Sequence, residues 1–272
     1  MTMERLQAHY GFTRMPFGRN LAPGMLHRHE AHNQAVARIT WCVQHNGLGV
    51  VTGEVGAGKT VAVRAALAGL DPTRHTIIYL PNPAVGVRGL YTHIVASLGG
   101  TPSFYLATLV AQTSDLIAGE AAERGRSPVL VIDEAHLLDH DQLEAIRMLT
   151  NHDMDSDCPF ATLLIGQPTL RRRINLGVLA ALDQRITLRY AMPGMTDTET
   201  ASYLRHHIGL APLTELGPGV SGFAGRVWLR VRTFRLRDWT RHAAGAGFPG
   251  GGEGRFAGAD RRPVGAVPAA WS

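Results

Sequence analysis

The 272-residue chain contains a single lysine, and it stands at position 59 within Gly53-Glu-Val-Gly-Ala-Gly-Lys-Thr60. The other 26 residues of the Lys+Arg count are arginine. This string fits G-x-x-x-x-G-K-[ST], a loop whose backbone N–H groups surround nucleotide phosphates. The lysine of such a loop acts as a compact point charge on a flexible stem, a geometry that a planar guanidinium does not reproduce. The motif constrains the fold because it requires an apolar strand before it and a helix directly after it. Both flanks are present: Leu48–Thr52 is an apolar run, and an Ala-rich helical stretch extends from Lys59 to near Gly69, ahead of Asp71-Pro72.

In that setting Gly53, Glu54, Val55, Gly56, Ala57, Gly58, Lys59, Thr60 and Val61 form the candidate nucleotide-binding segment. The three glycines let backbone donors face phosphate oxygens with no Cβ in the way, and the following helix adds its positive N-terminal end. Lys59 is placed to reach the β- and γ-phosphates of ATP, and the Thr60 hydroxyl to ligate Mg²⁺. The competing reading is a chance match in a chain with 31 glycines. The strand and helix flanks argue against it.

Four further β-rich runs follow, Thr76–Leu80, Val129–Asp133, Ala161–Ile165 and Ile186–Tyr190, separated by helical stretches. Two helices are expected between Val87 and Glu123, broken at Gly99-Gly100-Thr101-Pro102; another runs from about Asp141 to Thr150, and one follows Pro168. Apolar strands without polar alternation, each separated from the next by helix, indicate an α/β fold with a parallel sheet covered on both faces.

The second constellation is Val129-Leu-Val-Ile-Asp-Glu-Ala-His136. An apolar strand that ends in two carboxylates places them near the phosphate loop of a parallel sheet. Asp133 is then the candidate for the Mg²⁺ shell and Glu134 for the general base that polarises an attacking water. A buried strand ending in an acidic turn is the plainer alternative, weakened by the phosphate loop upstream. Asp133-Glu-Ala-His136 also spells the signature of one helicase superfamily, but nothing else in the chain supplies a second helicase core domain, so Ala135-His136 reads as incidental.

Gln167, at the tip of the next strand, reads equally as a sensor of the γ-phosphate and as the turn residue before a helix that begins at Pro168. Arg185, in Leu182-Asp-Gln-Arg-Ile186, stands open between an arginine finger for a neighbouring subunit's nucleotide and a solvated helix-end charge. The string His152-Asp-Met-Asp-Ser-Asp-Cys158 lacks the glycine of a calcium loop and reads as a polar loop. Arg171-Arg-Arg173 is as a rule a solvated face, with DNA phosphates as the sharper alternative. Cys42 and Cys158 make neither a disulfide framework nor a zinc spacing.

Basicity is confined to one end. Residues 211–272 hold nine arginines and four acids, which accounts for the whole formal charge of +5 and leaves residues 1–210 balanced. The same segment holds 12 of the 31 glycines and three of the four tryptophans. Its composition sustains no helical period and indicates a largely disordered tail, with one alternating stretch over Val227–Arg237. No apolar signal segment opens the chain and no run of eighteen apolar residues occurs, so a cytoplasmic protein without a membrane span is expected.

These motifs together resemble the AAA+ ATPases of the ExeA/GspA type, and especially the compact ATP-binding proteins encoded beside transposases in bacterial insertion elements. The likeness begins at Tyr10-Gly-Phe-Thr-Arg-Met-Pro-Phe17. It continues through the phosphate loop, Tyr79-Leu-Pro-Asn-Pro83, Asp133-Glu-Ala-His136, Leu149–Asp155, Gly166-Gln-Pro168 and Asp183-Gln-Arg-Ile186, and ends near Tyr203–Ile208. It implies a P-loop core over residues 48–210, preceded by an entry segment and first helix over 1–47, with a five-stranded parallel sheet of order 5-1-4-3-2. It implies Lys59 and Thr60 in nucleotide and Mg²⁺ binding, Asp133 and Glu134 in hydrolysis, Gln167 as first sensor and Arg185, on a looser match, as the finger. It further implies a homo-oligomer with ATP between subunits, assembled on DNA with a transposase. Secretion-type relatives of the same family are nucleotide-dependent assembly factors, and an inactive remnant is the third alternative. The departure comes after Leu210, where a helical lid is expected and a Gly/Arg-rich tail stands instead, as a frameshift in GC-rich coding DNA would leave it.

Overall fold

The computed structural model describes residues 22–151 and 158–209. The entry motif Tyr10–Phe17, residues 152–157 of the polar string and the atypical tail lie outside the described residues.

Five strands form one sheet: β1 (Leu48–Thr52), β2 (His75–Leu80), β3 (Ser127–Ile132), β4 (Ala161–Gly166) and β5 (Ile186–Ala191). All pairs are parallel and the order is β2-β3-β4-β1-β5, the 5-1-4-3-2 arrangement read from the other edge. The helices are α1 (Glu30–Gln44), α2 (Lys59–Ala68), α3 (Gly86–Ser97), α4 (Leu106–Ala122), α5 (His140–Leu149), α6 (Pro168–Ile174), α7 (Ala180–Arg185) and α8 (Asp197–Gly209). Among the described residues no helix is long and apolar enough to cross a membrane.

The sheet divides the core into two layers. On one face Leu90 and Ile94 of α3, Leu109 of α4, and Leu143 and Ile146 of α5 pack with Leu130, Ile132 and Leu164. On the other, Ile39 and Val43 of α1 and Val63 of α2 pack with Val51, Val131, Leu163 and Ile165. The central strands β1 and β4 are buried along their whole length, and β3 along all but its first residue. That is the pattern of a parallel sheet covered on both sides.

The edge strands depart from the uninterrupted apolar burial expected from sequence. β2 buries Ile78 and Leu80 but leaves Ile77 and Tyr79 exposed at 44% and 42%. β5 buries Leu188 and Tyr190 and exposes Thr187 and Arg189. The layer of α1 and α2 packs chiefly on β1, β4 and β5, and the outer strip of β2 stays half exposed.

Local chemistry fixes where the helices next to the sheet's carboxyl edge begin. Gly58, with φ of 89°, turns the chain in the left-handed region immediately before α2, a conformation that costs glycine nothing. α5 opens on a capping box: Gln142 N donates to Asp139 Oδ1 at 2.7 Å, and Asp139 N donates to Gln142 Oε1 at 3.0 Å, so two otherwise unpaired backbone donors are satisfied reciprocally. α6 starts with Pro168, whose missing N–H is no loss in a first turn.

Candidate functional site

Parallel strands bring their carboxyl ends to one edge, and the loop after β1 opens beside the tips of β3 and β4. Gly53 N donates to Gly166 O at 3.3 Å, which joins the loop to the β4 tip. On the other side Gly53 abuts the segment after β5, where a Cβ at position 53 would lie 2.8 Å from Met192 O. Glu54, Val55 and Gly56 form the exposed arc of the loop, Ala57 is buried beneath it, and Val61 lies at the surface of the first turn of α2. The Val55 side chain is 81% exposed.

Lys59 spans this loop. Its Nζ donates to Gly53 O at 2.8 Å and to Glu54 O at 2.9 Å. Thr60, next in sequence, turns the other way, and its Oγ1 donates to Asp133 Oδ2 at 3.0 Å. The two motifs recognised separately in the sequence are thus joined by one hydrogen bond.

Asp133 follows the last residue of β3 and is buried. A buried carboxylate requires hydrogen-bond donors, and three converge on it. Glu134 N donates to Oδ1 at 2.9 Å, and Oδ2 accepts from both Thr60 Oγ1 and the Tyr79 hydroxyl, the latter at 3.2 Å. Burial and then the negative charge of Asp133, with the hydrogen bond to it and the more distant Glu134, push the Tyr79 phenol above its ordinary range. The neutral phenol therefore stays a donor. A threonine hydroxyl beside a carboxylate is an all-oxygen donor set of the kind Mg²⁺ takes when it also shares phosphate oxygens, so the residues present fit that cation.

Glu134 adopts φ of 51°, one of two non-glycine residues with positive φ among those described. Such backbone occurs in only a few per cent of non-glycine residues, and strained residues cluster at functional sites. Its carboxylate is about half exposed, and Oε2 lies 3.3 Å from His136 Nδ1. That nitrogen is shielded from solvent and has no hydrogen-bond partner. His136 also backs onto the β4 tip, since a Cβ on Gly166 would come within 3.0 Å of its backbone nitrogen. His136 thus lies beside Glu134 and against the β4 tip.

Gln167 stands at the tip of β4 as the residue before α6, and its side chain makes no capping hydrogen bond. Arg185 is elsewhere. It closes α7 immediately before β5 begins, at the opposite end of the sheet from the loop, and its Nη1 donates to Thr150 O at 3.2 Å. The chain's own Lys59, Thr60, Asp133, Glu134 and Gln167 are brought to one edge, and Arg185 is not among them. Of the arginine run, Arg171 and Arg172 are exposed, while Arg173 donates to Leu138 O.

Two residues of this edge had no role assigned from sequence. Tyr79 lies in a quoted motif, and an aromatic hydroxyl at a strand tip was its only signal. His136 was visible as the fourth residue of Asp133-Glu-Ala-His136, but its contact depends on the turn that Glu134 makes.

Residues 42–174 match the family described as AAA domain. The chain is 33% identical over 205 residues to General secretion pathway protein A of Aeromonas hydrophila, covering 74% of this chain and 37% of that protein. It therefore spans little more than a third of the curated relative. Among solved structures, the ADP form of the Aeropyrum pernix ORC2 protein superposes with a TM-score of 0.56 at 18% identity, over 75% of this chain and 58% of that one. Cdc6p of Pyrobaculum aerophilum gives 0.54 at 17%, over 74% and 54%. At these identities the structural likeness is one of fold alone.

Proposed function

We propose that this chain is an AAA+ P-loop ATPase of the ExeA/GspA type, a reading supported by the AAA domain match and the secretion-pathway relative, and that it binds ATP at the loop Gly53–Val61 and hydrolyses it with Glu134. The observation that carries this reading is the Thr60 Oγ1 to Asp133 Oδ2 hydrogen bond, which joins the phosphate loop to the acidic pair.

In this reading Lys59 gives up its loop carbonyls and donates to phosphate oxygens, while the loop N–H groups hold the phosphates from below. Thr60 and Asp133 hold Mg²⁺, which when bound neutralises charge across the β- and γ-phosphates. Glu134 accepts a proton from the attacking water, and Gln167 orients that water or senses the γ-phosphate. His136 keeps the Glu134 carboxylate at the β4 tip. Arg185 serves a neighbouring copy of the chain, since its position at the far end of the sheet removes it from its own loop. A homo-oligomer with nucleotide between subunits follows.

The tail over residues 211–272 stands in this reading as an altered lid. For the cycle's partner, the resemblance to ATP-binding proteins encoded beside transposases supports assembly on DNA as a regulator of transposition. The secretion-pathway relative favours instead a nucleotide-dependent assembly factor without DNA. Salt separates the two: DNA binding at low salt that weakens steeply as salt rises supports the first, and no binding at low salt supports the second.

Hydrolysis itself is tested with Glu134→Gln. The variant is expected to keep ATP affinity within about twofold and to lose turnover by about 10²–10⁴-fold, the usual contribution of a positioned base. Unchanged phosphate release would remove Glu134 from the mechanism.

A further inference from the structure

Asp133 is held by a third element besides the phosphate loop and its own turn. Its Oδ2 takes two donors, Thr60 Oγ1 at 3.0 Å and the Tyr79 hydroxyl at 3.2 Å, while Oδ1 takes the Glu134 N–H. Tyr79 reaches it from the neighbouring strand: it is in register with Val131 on β3, and Asp133 N donates to Leu80 O at 3.0 Å just beyond. The backbone beneath the ring is fixed again from α3, where His93 Nε2 lies 2.9 Å from Tyr79 O.

We propose that Tyr79 is a positioning residue for the Mg²⁺–nucleotide complex, acting through Asp133: its hydroxyl fixes the rotation of the carboxylate independently of Thr60. The proposal rests on the ATPase reading above and adds a residue to it. Without the phenol, Oδ2 retains one side-chain donor, and that donor is the same threonine hydroxyl assigned to the cation. The carboxylate is then free to turn about its last bond whenever Thr60 reorients. With the phenol in place, Asp133 stays aligned while Thr60 serves the metal and phosphates.

Packing does not account for the tyrosine. Its ring sits on the open outer strip of β2, 42% exposed beside Ile77 at 44%. A side chain so little buried contributes modestly to the core, so its hydroxyl carries the specific contact. Phenylalanine preserves the ring and removes only that contact.

The test uses the intact chain and a fluorescent ATP analogue, titrated with Mg²⁺ present and with Mg²⁺ chelated. For Tyr79→Phe, affinity without Mg²⁺ is expected to match the wild type. The gain in affinity on adding Mg²⁺ shrinks about three- to tenfold, in keeping with loss of a half-exposed hydrogen bond to a charged group. The Mg²⁺ concentration giving half the effect rises by a similar factor. Ile77→Ala, which disturbs the same strip without touching Asp133, leaves both values unchanged. A Tyr79→Phe chain with wild-type Mg²⁺ dependence overturns the proposal, and so does an equal loss with and without Mg²⁺, which would mark a structural effect. A wild-type chain that binds no analogue under either condition overturns the ATPase reading itself, a result distinct from a wild type that binds and a variant that equals it.

Discussion

At the scale of single residues, the site depends on atoms that stand closer than sequence spacing reveals. Gly53 is an example. Its Cα faces Met192 O, and an added methyl would sit 2.8 Å from that oxygen and 3.4 Å from Met192 Cβ. Backbone cannot rotate away as a side chain does, so Gly53→Ala should cost about 1–3 kcal/mol of stability, the range for overpacking. Gly119, inside α4, has nothing within 4 Å of the same test position, and Gly119→Ala should gain about 0.5–1 kcal/mol. Urea denaturation of the two variants checks both signs. Gly53 was legible as a motif glycine, but the reason it tolerates no side chain was not, because its neighbour arrives from β5. The same holds for Thr60 and Asp133: each was readable in its own motif, and their hydrogen bond depends on β3 lying one strand away from the loop's own neighbour β4.

Among the elements, strands were the most legible because an apolar run flanked by turn residues has few other uses. β1 matches its expected bounds, and the others differ by one or two residues at their ends. The docking of α8 was not legible, because it joins segments far apart in the chain. His27 and His29 meet residues of α8 there, and His32 stands behind His29. His27 lies 5.4 Å from His206 and 5.8 Å from Tyr203 between ring centres. His27 Nε2 is 3.1 Å from Ser202 Oγ, His206 Nε2 is 2.9 Å from Met25 O, and His29 Nδ1 is 3.8 Å from Glu199 Oε1. Burial, followed by His206, His29 and His207, lowers the pKa of His27 against the raising effect of Glu199; burial, then His29, Arg28 and His27, lowers that of His32. An unfolded histidine titrates near 6.5, so as pH falls the unfolded chain takes up protons before the folded one. The contribution is whole above about pH 6.5 and is lost as pH falls through the lower folded values. Glu199, held low chiefly by its hydrogen bonds with Thr196, begins to lose its own contribution only near its unfolded value of 4.5. The thermal midpoint should therefore drop between pH 7.5 and 5.5, and His27→Gln should flatten that drop. A midpoint constant over this interval would contradict this role of the buried histidines.

For the molecule as a whole, the strand order gathers Lys59, Thr60, Asp133, Glu134 and Gln167 at the carboxyl edge of the sheet and sets Arg185 at the other end. The sequence motifs proposed the first five and set the acidic pair near the phosphate loop, but not the Thr60–Asp133 hydrogen bond that joins them. They did not show that Arg185 stands apart, the position on which the proposed second copy of the chain rests. The charge-balanced stretch and the basic tail were readable from composition, whereas the partner was not, because recognition of DNA or of a secretion machine depends on surfaces rather than on the loop. The central claim is that the lone lysine is the phosphate anchor of an ATP site, and calorimetric titration of the intact chain with Mg·ATP tests it most directly. The account predicts close to one ATP per chain for the wild type and an affinity at least about tenfold weaker for Lys59→Arg, since a guanidinium does not replace the compact ammonium. A wild type that takes up no ATP, or a Lys59→Arg chain that binds it equally well, would contradict the account.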